Sequence, residues 1–124
     1  MPSYSIGIDL GTTHCALSFL SLEADGPRDW KQSVLPVPQL VTPGSVEERF
    51  LLPSFLYLPS PEEFPKGSLA LPWDGESSWI VGEFARTHGV KVPGRLVSSA
   101  KSWLSHSGVD RSKALLPWQA PPDV

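Results

Sequence analysis

Residues 6–13 read Ile-Gly-Ile-Asp-Leu-Gly-Thr-Thr. An acid that ends a buried strand, followed by a Gly-Thr-Thr turn, suits a nucleotide phosphate. Gly11 has no Cβ, so its backbone can come close to a ligand. Successive turn N–H groups form an anion-binding concavity, and the hydroxyls of Thr12 and Thr13 add donors. Asp9 can hold Mg²⁺ through water, because Mg²⁺ gives up its hydration shell reluctantly. The same residue types also make a plain polar hairpin turn, and short motifs of this kind arise often by chance.

The flanking residues predict the elements that would position this turn. Tyr4, Ile6, Ile8 and Leu10 alternate with Ser5, Gly7 and Asp9, and Cys15, Leu17 and Phe19 alternate with Ala16 and Ser18. Period two on both sides predicts an antiparallel hairpin over 3–10 and 15–22, with 11–14 at its turn. A turn is expected over 23–29, a third strand over 30–37, and a loop or short hairpin around Pro43 and Gly44. Residues 50–58 predict a buried strand interrupted at Pro53, which cannot donate to a ladder. Prolines and glycines break every period in 59–78, so that stretch is expected to be an irregular insertion. A short strand over 79–81 precedes a helix over 82–88, with Gly89 as its stop. Leu96, Val97, Ala100, Trp103 and Leu104 fall on one helical face and predict a second helix over 95–105. Strands first and helices later place the chain in the mixed α/β or α+β class.

Composition narrows the function classes. Lys plus Arg is 10 and Asp plus Glu is 13 in 124 residues, for a net charge of −3. That balance argues against nucleic acid as a partner. Proline is the outlier at 14 residues, so short elements joined by stiffened loops are expected. The one cysteine, Cys15, excludes an intrachain disulfide framework and a multi-cysteine zinc site. No apolar run approaches a membrane span, and the first residues are not expected to act as a signal peptide. The expected location is the cytoplasm, with no membrane partner. His14 and Cys15 are strand neighbours whose side chains point to opposite faces, which argues against a Cys–His catalytic pair. His88 and His106 read as helix-end residues, with no acid at ligand spacing. Trp103 is expected in the core.

The octet resembles the first phosphate loop of the actin, sugar-kinase and heat-shock-chaperone ATPase superfamily. Within it, Ile6 to Thr13 is most similar to the 70-kDa heat-shock chaperone family of the DnaK type. Leu52-Pro53-Ser54-Phe55-Leu56-Tyr57 is similar to the T-P-S-Y-V strand of those chaperones. Val81-Gly82-Glu83-Phe84-Ala85-Arg86 resembles their I-G-x-x-A-K helix start, and Ala100-Lys101-Ser102-Trp103-Leu104 resembles their A-K-R-L-I segment. The order is the family's, with extra length at 59–78. His14 departs from the family's usual Tyr or Asn, and Ser102 and Ser105 replace the Arg and Gly of K-R-L-I-G.

The resemblance implies a partial actin-like (ribonuclease H-like) ATPase fold. Residues 1–40 would supply the phosphate-loop strands of lobe I, and 41–115 a small peripheral α+β subdomain. It implies ATP and Mg²⁺ as cofactors. Gly11, Thr12, Thr13 and His14 would wrap the phosphates, Asp9 would lie near the metal, and Lys101 would reach the γ-phosphate and the attacking water. A compact cation there offsets charge spread over the transferring phosphoryl oxygens. The expected whole is an ATP-dependent molecular chaperone that binds unfolded peptides and co-chaperones, this chain being an N-terminal fragment without activity of its own. Two alternatives stand beside it: a sugar kinase of the same superfold, and a non-catalytic nucleotide-binding scaffold.

Overall fold

Alternation in the first twenty residues does produce a hairpin. The computed structural model describes residues 3–23, 26–108, 110 and 112–124. Strand β1 (Tyr4–Leu10) pairs antiparallel with β2 (His14–Ser21), from Tyr4 opposite Ser21 to Leu10 opposite Cys15. The turn expected over 23–29 lies partly outside the described residues; a 3-10 turn occupies Pro27–Asp29. Two short strands share the other edge of β2: β3 (Ser33–Val34) and, separated in sequence by a hairpin, β6 (Leu52–Pro53). That intervening hairpin joins β4 (Val37–Thr42) to β5 (Ser45–Arg49). Gly44 turns it at φ +76°, a conformation glycine adopts without a Cβ penalty. The third strand expected over 30–37 is therefore split between β3 and the start of β4, because Pro36 and Pro38 cannot extend a ladder from β3.

The core lies away from the first hairpin. Strand β7 (Phe55–Tyr57) is central in a second sheet, flanked by β8 (Ile80–Val81) and β9 (Leu96–Ser98). Helix α1 (Glu83–Gly89) packs on it, and Leu40, Tyr57, Leu69, Ile80, Phe84 and Ala85 form one buried cluster. Burying a side chain of this size stabilises by roughly 1.5–3 kcal/mol. The buried strand expected over 50–58 is narrower than that range, for Phe50 and Leu51 are exposed. Residues 59–78 are irregular as expected, apart from one bridge between Leu71 and Asp74. Among the described residues, no helix is long and apolar enough to cross a membrane.

The helix expected over 95–105 is largely replaced. Leu96, Val97 and Ser98 form β9, opposite Tyr57, Leu56 and Phe55. Only Ala100–Trp103 is helical, as α2. An open edge on β7 gives Leu96 and Val97 ladder partners as well as burial, and that outweighs a local helical period. Trp103 stacks on Trp118 and His106 instead of entering the core, and Leu104 is exposed.

One polar side chain locks α1 in place. Gln39 is 2% exposed. Its Nε2 donates to the carbonyls of Leu51 and Val37, and its Oε1 accepts the Glu83 N–H at 2.9 Å, satisfying a free donor at the helix start. Gly82 lets it approach: φ is +92°, and a Cβ there would lie 2.6 Å from both Gln39 Oε1 and Leu52 Cδ1.

Candidate functional site

The turn between β1 and β2 comprises Gly11, Thr12 and Thr13, all placed where the sequence puts them. Gly11 is required by close approach: a Cβ on it would sit 2.2 Å from the His14 carbonyl oxygen. Ser54, in the link from β6 to β7, grips the turn from below. Its N–H donates to Thr13 O at 2.9 Å, and its hydroxyl donates to Gly11 O at 2.8 Å. With that proton used, the Cys15 thiol donates to Ser54 Oγ, 3.4 Å away. Cys15 is half-buried and bonded to Ser54, whereas the His14 ring meets Thr13 and Arg86.

Two cations reach the turn from distant sequence. Lys101 Nζ donates to Leu10 O at 2.9 Å, where β1 enters the turn. Arg86, on α1, lies with Nη1 3.3 Å from His14 Nε2 and Nη2 2.6 Å from Glu83 Oε2. A guanidinium only donates, so His14 Nε2 accepts; Nδ1 then carries the proton and donates to Thr13 Oγ1 at 3.3 Å. Thr12 and Thr13 are exposed to solvent. The sequence motif and both cations therefore converge on one surface.

Asp9 departs from the sequence picture in its surroundings. Its strand is exposed along its whole length, not buried. Asp9 borders a hollow of about 280 Å³ floored by Gly7, Ala16 and Ser18. Its side chain lies on the opposite sheet face from those of Leu10 and Cys15. Among the described residues, no group of three or more His, Cys, Asp or Glu side chains is arranged to hold a metal. The donor set fits an anion at the turn. Toward Mg²⁺ it offers one carboxylate, suited to water-mediated contact alone.

Sequence reasoning missed Ser54 and Arg86 as parts of the site. Both lie inside the landmark segments 52–57 and 81–86, which the resemblance uses for order alone. The available signal was the order itself, since landmarks that recur in sequence can meet in space. A second polar cluster was also missed. Tyr57, with no exposed surface, donates its hydroxyl to Glu63 Oε1 at 2.8 Å, and His88 Nε2 lies 2.8 Å from the same oxygen. The Ser60 N–H and hydroxyl donate to Glu63 Oε2. Burial pushes the Glu63 carboxyl up, but hydrogen bonds from His88, Ser60 and Tyr57 outweigh it and hold it below the usual range. Burial, then the Glu63 hydrogen bond and charge, push the Tyr57 phenol up to about 12. His88 is therefore tied to an acid from the irregular segment, and does not act as a helix-end cap. The cluster fastens residues 60–63 to the core.

Compared with protein-family models, curated proteins and solved structures, the chain finds no match in any of the three.

Proposed function

We propose that this chain is the phosphate-binding part of a nucleotide-binding lobe, belonging to an ATP-dependent chaperone of the 70-kDa heat-shock type with an actin-like fold. One observation carries the reading: a glycine-dependent turn with exposed Thr12 and Thr13, flanked by Arg86 and Lys101 from elements 72 and 91 residues away from their turn partners. The resemblance of residues 6–13 supplies the nucleotide and the chaperone.

In this proposal Gly11, Thr12 and Thr13 offer backbone and hydroxyl donors to phosphate oxygens. His14 orients Thr13 through its Nδ1–H, and Arg86 and Lys101 supply positive charge on either side. Mg²⁺, when bound with ATP, supplies further charge neutralisation, with Asp9 as its contact through water. Hydrolysis, and control over the binding of unfolded peptides and co-chaperones, belong to the longer protein proposed. Arg86 is paired with Glu83 and donates to His14, and Lys101 donates to the Leu10 carbonyl, so each cation would exchange a partner to meet phosphate. The engagement of Lys101 is the observation favouring the non-catalytic scaffold as a second reading.

Titration of ATP·Mg²⁺ into the 124-residue chain, followed by NMR, tests the proposal. Hydrogen bonds exchanged with water contribute about 0.5–1.5 kcal/mol each, and exposed charge pairs about 1 kcal/mol or less. Against an association cost of at least about 4 kcal/mol, the expected Kd is about 1 mM or weaker. Shifts should centre on Gly11 to His14 and Arg86, and shrink in Arg86→Ala. Shifts centred elsewhere, or none at tens of millimolar ATP, would overturn the reading.

A further inference from the structure

Hydrogen bonding fixes which nitrogen of each imidazole carries the proton. His88 Nε2 lies 2.8 Å from Glu63 Oε1, and an ionised carboxylate only accepts, so the proton there is on Nε2. His106 Nδ1 accepts the Gly108 N–H at 3.0 Å, which again leaves the proton on Nε2. His14 is the reverse. Arg86 Nη1 donates to its Nε2, and its proton lies on Nδ1, toward Thr13 Oγ1. That arrangement exists only while His14 is neutral. In an imidazolium both nitrogens donate, so the 3.3 Å contact with Arg86 would become a meeting of two donors and two cations. The Nδ1–H bond to Thr13 survives the change.

The charges around the turn balance. From α1 come Arg86 and Glu83, paired at 2.6 Å. From α2 comes Lys101, on the Leu10 carbonyl. Asp9 shares the sheet face of His14 as a diagonal neighbour, being opposite Ala16, with no hydrogen bond between them among the described residues. Strand β6 sets Leu52 and Pro53 against Cys15 and His14 and brings no charge, and Ser54 brings neutral groups alone. Two cations thus stand against two carboxylates, and with His14 neutral the turn has no net charge to draw an anion. We propose, on the phosphate reading of this turn, that its ligand binds together with a proton: His14 takes up the proton at Nε2 and lets go of Arg86, and both groups turn to the ligand's phosphate oxygens. The proton comes from solvent, and no bond of the ligand is made or broken. Nε2–H gives the anion a charged donor beside Thr13, and Arg86 keeps Glu83 as its counter-ion while offering the N–H that His14 released. The site gains one positive charge and exchanges an internal hydrogen bond for two to the ligand. Binding therefore strengthens as pH falls across the range where imidazoles charge, and weakens as it rises.

Sulfate is the probe, because its charge is constant between pH 5.5 and 8, whereas phosphate itself titrates there. The 124-residue chain is titrated with sulfate at both pH values and constant ionic strength, and followed by NMR at the amides of residues 11–14. The expected affinity is roughly fivefold higher at pH 5.5, the worth of about one exposed charge pair. By linkage, sulfate should move the titration of the His14 ring to higher pH. His14→Asn, which keeps a polar side chain and cannot titrate, should abolish the pH dependence. Without ligand at pH 8, nitrogen NMR of the imidazoles should find the His14 proton on Nδ1 and those of His88 and His106 on Nε2. This last readout needs no variant and no binding. A His14 proton on Nε2 at pH 8 overturns the proposal, as does a pH dependence that persists in His14→Asn. Equal sulfate affinity at the two pH values, with shifts at residues 11–14, overturns the proton coupling and leaves the phosphate reading standing. Shifts centred elsewhere at both pH values, or none at tens of millimolar sulfate, overturn both.

Discussion

Tyr57→Phe is expected to weaken the fold at neutral pH and to lose most of that effect in alkali. The Tyr57 hydroxyl is buried and donates to Glu63 Oε1 at 2.8 Å. A hydrogen bond to a charged group contributes about 1.5–3 kcal/mol. Glu63 keeps Ser60 and His88 after the substitution, so its carboxylate is not left bare, and about 1.5–2 kcal/mol is expected. The pH dependence follows from the phenol, pushed from 10.0 to about 12. A group whose folded pKa is raised stabilises fully below its unfolded pKa and loses that contribution as pH rises through the folded value. One unit corresponds to 1.36 kcal/mol, so about 1.4 kcal/mol of the wild-type advantage is gone by pH 11. Glu63 runs the other way. Its lowered pKa stabilises above the ordinary carboxylate range and is lost as pH falls through the folded value. Removing the Tyr57 donor should make that acid limb shallower. Urea unfolding of both proteins at pH 4, 7, 9 and 11, read by tryptophan fluorescence, gives the differences. A penalty below about 0.5 kcal/mol at pH 7, or one unchanged at pH 11, would refute the reasoning.

Three further outcomes are expected. Gln39→Ala should cost about 2–6 kcal/mol in urea unfolding, because the Glu83 N–H and Leu51 carbonyl lose their buried partner at about 1–3 kcal/mol each; a loss under 1 kcal/mol would mean that water replaces the side chain. Gly11→Ala should cost about 1–3 kcal/mol from forced repacking of the turn, with NMR shifts at residues 11–15 and few around Phe84; shifts spread through the core would show that turn and core are not separable. Ser54→Ala should speed hydrogen exchange of the turn amides about tenfold, the equivalent of one lost bond of about 1.4 kcal/mol; unchanged exchange would show that the hairpin alone holds the turn.

What the sequence disclosed follows the reach of its forces. The first hairpin is legible because period two over Tyr4–Leu10 and the residues after Thr13 is a local property, and Gly11 marks its turn. Helix α1 is legible because Gly82 and Gly89 bracket a run of good helix formers. Residues 96–98 are not, because their partner is β7, some forty residues earlier, and local period cannot register an open edge there. Leu104 illustrates the same error from the other side: it continues the helical face on paper and is exposed in the fold. At the site, Gly11, Thr12 and Thr13 are contiguous and readable as a motif. Ser54, Arg86 and Lys101 join them through tertiary structure, and the Glu63 contact with His88 depends on how an irregular segment folds back.

The way Ser54 holds the turn bears directly on what the turn can bind. It takes two carbonyls, those of Gly11 and Thr13, toward the protein. Across a trans peptide the next N–H points opposite to the carbonyl, so turning Gly11 O inward aims the Thr12 N–H outward. The acceptors that would repel an anion are thereby satisfied from below, and a donor is presented above, beside the exposed Thr12 and Thr13 and between two cations. Because Ser54 sits in the link between β6 and β7, the same bonds fix the turn relative to the core sheet and, through Gln39 and Gly82, to the start of α1 and to Arg86. An anion arriving there need not order the loop, which removes part of the cost that otherwise opposes binding. The hairpin contributes no residue to the buried apolar cluster, yet Ser54 and Lys101 tether its turn to the rest of the fold, and that combination serves a binding site better than it serves stability.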